Sequence, residues 1–191
     1  GVSCKFDPHV NVSLRARQPG SAFKPFVYAT AFKKGYTPNT VLFDVETQFD
    51  ARGGEEYTPQ NYDHVFRGPV TMREALAQSI NVPSVKTLYL ASIADSLTTA
   101  RAMGIKSLTD PFRYGLTLVL GGGEVSLLEL TSAYGVFAQD GIRAEPRAIL
   151  RIEDAGGNVL EKATVKRGRA LDESIARLIN VILSDNQARA P

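Results

Sequence analysis

In RQPGSAFKPF, residues 17–26, Ser21 follows Pro19-Gly20 directly and Lys24 stands three residues further on. A serine hydroxyl is a weak nucleophile and needs a base within hydrogen-bond reach. A lysine one helical turn away can be that base if desolvation or a neighbouring cation lowers its pKa enough to leave neutral amine. A helix beginning at the serine adds backbone N–H groups and a positive dipole end, both suited to the oxyanion formed when a serine attacks a carbonyl. The plainer reading is that Ser21 caps the helix, and Ser-x-x-Lys alone is short enough to arise by chance. A second pair of side chains changes the odds. Ser79-Ile80-Asn81 falls where a helix should end, a place that turns side chains into a cleft. Serine and asparagine are ordinary at helix ends, but the two motifs together are much harder to attribute to accident.

These residues need elements to hold them. Residues 10–16, VNVSLRA, alternate apolar and polar side chains, which predicts a half-buried strand running into the RQPG turn. From Ser21 onward, Phe23, Val27 and Ala31, with Phe26 and Thr30, fall at helical spacing. Pro25 sits in the first turn and Gly35 supplies a stop. Residues 36–70 carry turn chemistry throughout and predict a long irregular excursion of the kind that lines a site. Thr71 and Glu74 form a capping box opening a second helix, expected to stop at SINVP because Pro83 biases Val82 away from helical geometry. Helices over about 83–92 and 94–103 follow, the latter ended by Gly104. Ser126 and Glu129 make another capping box, opening LLELTSAYGVFAQ. Residues 142–162 read as a hairpin around AGGN, and a last helix runs over about 172–183 before SDNQARAP trails off.

Composition narrows the function. The chain has 191 residues, is 43% hydrophobic and 22% charged, and carries a formal net charge of +2. That balance is ordinary for a globular protein and too small to argue for a nucleic-acid partner. The short KRGR run at 166–169 reads as a solvated turn. No apolar stretch nears the roughly 18 residues that span a bilayer, and GVSCKFDP lacks a signal-peptide pattern. With one cysteine, Cys4, no internal disulfide and no zinc cluster is possible. Cys4 reads as an incidental thiol and His64 as a loop histidine. The GGGE loop at 121–124 lacks both the P-loop lysine and dinucleotide spacing, so it reads as a tight turn before a capped helix. Nothing in these residues calls for a cofactor or metal.

RQPGSAFKPF, YTPQNYD, GPVTMREALAQSINVPSV, LGGGEVSLLELTSAYGVFAQDG and SDNQARAP, in that order along nearly the whole chain, resemble the transpeptidase domain of class A (bifunctional) penicillin-binding proteins. The resemblance implies an α+β, penicillin-binding and serine β-lactamase-like fold, mostly helical with a small antiparallel sheet. It implies a D,D-transpeptidase that crosslinks peptidoglycan stem peptides through a serine acyl-enzyme and is acylated by β-lactams. Ser21 is then the nucleophile, Lys24 its base, Ser79 a proton relay to the leaving amine, and Asn81 the holder of the substrate amide and the lysine. Gly121 joins Ser21, Ser79 and Asn81 as a substrate-binding position. The implied location is the extracytoplasmic, periplasmic face of the bacterial inner membrane.

The family's Lys-Thr/Ser-Gly strand is missing. Lys86-Thr87-Leu88 and Lys106-Ser107-Leu108 lack the glycine, and Lys166-Arg167-Gly168 lacks the hydroxyl and precedes the last helix. Residues 1–191 therefore read as a partial transpeptidase domain, incomplete at its C-terminus, whose partners include the missing C-terminal segment, in cis or as another chain. Two rivals stand beside the transpeptidase. A serine β-lactamase needs a water-activating glutamate, for which no acidic residue here has a recognisable context. A non-catalytic β-lactam sensor or pseudo-transpeptidase would be acylated without crosslinking.

Overall fold

Helix α1, Lys24–Lys33, is buried over all but its last residue: every side chain from Lys24 to Phe32 is out of solvent. A helix that is apolar on all sides belongs in the middle of a domain, and the chain wraps around this one. The computed structural model describes residues 11–50 and 56–190. Among them α1 packs against α2 (Met72–Ala77), α3 (Asn81–Ala91), α4 (Ile93–Met103) and α7 (Glu173–Ser184). Phe26 meets Phe23 and, on α6 (Leu127–Ala138), Tyr134 and Phe137 in an aromatic cluster whose ring centroids lie 5.4 to 5.9 Å apart. Such pairs add about 0.5–1.5 kcal/mol beyond area burial. Two short helices, α5 (Pro111–Tyr114) and α8 (Asn186–Arg189), complete the set.

The strands are short and antiparallel, and pair two by two. β1 (Ala16–Arg17) pairs with β6 (Val125–Ser126), β2 (Val41–Asp44) with β5 (Gly68–Thr71), and β3 (Phe49–Asp50) with β4 (Glu56–Tyr57). β7 (Ile142–Ala144) pairs with β10 (Arg167–Arg169), and β8 (Arg151–Glu153) with β9 (Val159–Lys162). The mostly helical α+β class holds, with the strand content spread over pairs instead of one sheet.

Local signals served well. Both capping boxes form, Thr71 with Glu74 and Ser126 with Glu129. Gly104 ends α4 in the left-handed conformation, and Gly35 follows α1 with φ +97. Other expectations need correction. The strand expected over 10–16 is reduced among the described residues to Ala16, which enters β1: residues 12–14 form a turn, with the Ser13 N–H on Asn11 Oδ1 and the Leu14 N–H on Asn11 O. Pro83 does not break a helix. It sits in the first turn of α3, where a missing N–H costs nothing. The hairpin is confined to 151–162, since β7 pairs with the KRGR segment, which is thus a strand and not a turn. The excursion over 36–70 holds two strand pairs, and the terminal segment folds into α8, capped by Asp185. Cys4 lies outside the described residues.

Candidate active site

Pro19 and Gly20 turn the chain after β1, Gly20 with φ +58, and the 3-10 turn Gly20–Phe23 carries Ser21 into α1. No side chain caps this turn or α1, so Ser21 is not spent as an N-cap. Ser21 is exposed, and its hydroxyl bonds to no described residue. Its turn is clamped from two sides. The Tyr134 hydroxyl of α6 donates to Ala22 O at 2.8 Å. Gly121, with φ +86, lies against Gly20 so closely that a Cβ would fall 2.2 Å from the Gly20 nitrogen. Any side chain at 121 would have to displace the backbone that presents Ser21.

Ser79 is placed by a helix ending. The Ile80 N–H reaches Ala75 O at 2.9 Å and the Ser79 N–H reaches Leu76 O at 3.1 Å. This is the Schellman pairing that closes a helix with one left-handed residue, usually glycine. Here that residue is Ser79, at φ +58. The fold thus holds a side chain where none is comfortable, at about 1 kcal/mol or more of backbone cost. Asn81 then opens α3.

Lys24 joins these pieces. It is 1% exposed. Its Nζ donates to Ser79 O at 2.6 Å, to Ser79 Oγ at 3.1 Å and to Asn81 Oδ1 at 2.8 Å. All three partners are neutral, so burial goes uncompensated and holds the amine far below the ordinary lysine value, at about 7. As an ammonium, Lys24 has one N–H for each acceptor. As a neutral amine it keeps two, and its lone pair can take the hydroxyl proton of Ser79 instead. The Asn81 amide is fixed at its other end, where Nδ2 donates to Gln60 O at 3.0 Å. Its second N–H meets no acceptor among the described residues.

Of the residues singled out in the sequence, Lys24, Ser79 and Asn81 are in direct contact. Ser21 stands one turn before the lysine, exposed like Ser79, with no hydrogen bond to any of the three. Gly121 lies against the backbone of the Ser21 turn. Sequence reading did not find Tyr134 or Gln60. Tyr134 sits in an apolar helix that reads as core. Gln60 acts through its main chain, which no residue type announces.

A buried lysine bonded to one exposed serine and one turn after another, on this fold, defines a serine–lysine acyl-transfer class. Comparison with known proteins then gives the family: residues 9–190 match the penicillin binding protein transpeptidase domain, and the chain belongs to that family. It is 37% identical to penicillin-binding protein 1A of Neisseria meningitidis over 160 residues, 81% of this chain and 20% of that protein. To penicillin-binding protein 2D of Bacillus subtilis it is 36% identical over 172 residues, 88% of this chain and 24% of that one. The chain therefore spans a fifth to a quarter of these relatives. Among solved structures, penicillin-binding protein 1A of Haemophilus influenzae superposes with a TM-score of 0.84 at 26% identity, covering 95% of this chain and 31% of that one. The imipenem acyl-enzyme of penicillin-binding protein A from M. tuberculosis shares the fold at TM-score 0.80 and 20% identity, over 92% and 45% of the two chains. No helix of the described residues is long and apolar enough to cross a membrane.

Proposed function

We propose that this chain is part of a D,D-transpeptidase domain that crosslinks peptidoglycan stem peptides at the extracytoplasmic face of a bacterial membrane, and that β-lactams acylate it. The observation that carries this reading is the buried Lys24 amine, held by Ser79 and Asn81 one turn from an exposed serine. Neutral Lys24 takes the Ser21 hydroxyl proton as Ser21 Oγ bonds to the carbonyl carbon of the penultimate D-Ala. The carbonyl π electrons move onto oxygen. Their return breaks the C–N bond, and the proton passes from Lys24 through Ser79 Oγ to the departing D-Ala amine. An amine from a second stem then attacks the ester, its proton leaving along the reverse path, and Ser21 is regenerated. Asn81 Nδ2 holds the substrate amide. A β-lactam enters the same first step, but its leaving nitrogen stays tethered.

Intact mass of the full-length protein after incubation with benzylpenicillin tests this. The expected product gains one whole penicillin, maps to Ser21, persists for many minutes and is absent from Ser21→Ala. A label on another residue, or none, would overturn the assignment. Rapid release of penicilloate would turn it into a β-lactamase. Stable acylation with no crosslinking of stem peptides by the full-length protein would turn it into a sensor.

A further inference from the structure

The N-cap of α3 is Ile80, extended at φ −68 and ψ 134, and its side chain cannot accept the helix's first N–H groups. A residue of the YTPQNYD segment takes over that task. Asn61 Oδ1 accepts from the N–H of Asn81 and the N–H of Val82, each at 3.1 Å. Asn61 is itself fixed in orientation. Its Nδ2 donates to both carboxylate oxygens of Asp44 at 2.9 Å and to Val65 O at 2.8 Å. Asp44, at the end of β2, is fully buried and also accepts the Arg67 N–H at 3.0 Å. A carboxylate accepts only, so it forces the Asn61 amide nitrogen inward and the oxygen toward α3.

We propose that Asn61, oriented by Asp44, is a positioning residue of the acyl-transfer centre, holding the Ser79–Asn81 turn against Lys24 from outside the helices that carry it. The inference rests on the function proposed above. Asn61 makes no hydrogen bond to Lys24; it acts through Asn81, whose backbone it grips and whose side chain meets the lysine. The competing role is a buried polar hub that only stabilises the fold. The two differ in what they do to Lys24. Displacing reacting groups by about 1 Å can cost on the order of 10²-fold in rate, whereas a stabilising hub changes only the amount of folded protein.

The test follows Lys24 directly, by lysine-selective 13C and 15N NMR titration of the full chain, beside urea unfolding and penicillin acylation resolved into binding and acylation constants. In Asn61→Ala, water should reach the amine. The Lys24 midpoint should rise by about one unit, and the acylation constant should fall on the order of 10²-fold with binding little changed. A folded Asn61→Ala protein with the parent's Lys24 midpoint and acylation constant, its loss confined to urea stability, would overturn the inference. Should Asn61→Ala not fold, Asp44→Asn decides in its place. It leaves Asn61 free to turn and should slow acylation about tenfold, and parental behaviour sinks the idea. The Lys24 titration needs no acylation, so a parent that penicillin fails to label counts against the proposed function alone.

Discussion

Lys24 can take a proton from serine only while it is uncharged, and burial sets the pH at which that happens. Its amine is lowered to about 7 by burial among neutral partners. The labelling rate with a fluorescent penicillin should therefore climb about tenfold per pH unit below 7, where neutral amine is the minor form, and level off above it. A flat profile between pH 5.5 and 8.5 would mean that Lys24 is not the base. Placing an acceptor carboxylate within reach should shift the midpoint up. Asn81→Asp makes that change at an atom 2.8 Å from Nζ. Its profile should level off well above pH 7, with slower labelling at neutral pH.

The turn between α2 and α3 separates what an element wants from what the site needs. A Schellman ending favours glycine, and Ser79 occupies that place with φ +58. Ser79→Gly should raise thermal stability by about 1 kcal/mol through relief of the left-handed backbone and should still abolish rapid acylation, because the hydroxyl against Lys24 is gone. A destabilised glycine variant would show that the hydroxyl's contacts outweigh the backbone strain. The same turn shows how far the sequence could be read. Capping boxes were legible because both partners lie within four residues, and Ser21, Lys24, Ser79 and Asn81 were legible by type and spacing. The left-handed backbone of Ser79 was not, since nothing about serine predicts it. Asn61 reaches Asn81 across 20 positions, and β10 is a strand only because β7 lies beside it. Such pairings depend on the assembled fold. The alternation over 10–16 misled because a single asparagine side chain competed for the same backbone.

Across the whole molecule, burying a lysine among neutral partners lowers stability in a pH-dependent way. In the unfolded chain Lys24 titrates near 10.5, in the folded one at about 7. Between those values the unfolded state holds the extra proton, so stability rises with pH through that window and the penalty is full below it. At about 1.4 kcal/mol per unit, the penalty is several kcal/mol at pH 6. Urea unfolding of Lys24→Met against the parent should show a difference favouring methionine that shrinks steadily from pH 7 to pH 10. A constant difference would place the lysine in a more solvated setting.

Because α1 is covered on every side by other helices, it has no way to open by itself. Its amide hydrogens should exchange with deuterium only when the entire domain unfolds, with protection equal to the global free energy and the same denaturant slope. The β8–β9 hairpin, whose strand residues are all exposed, should exchange orders of magnitude sooner. On that expectation Lys24 rides on the slowest-exchanging segment among the described residues. Its lowered basicity should then persist until the last cooperative unit gives way.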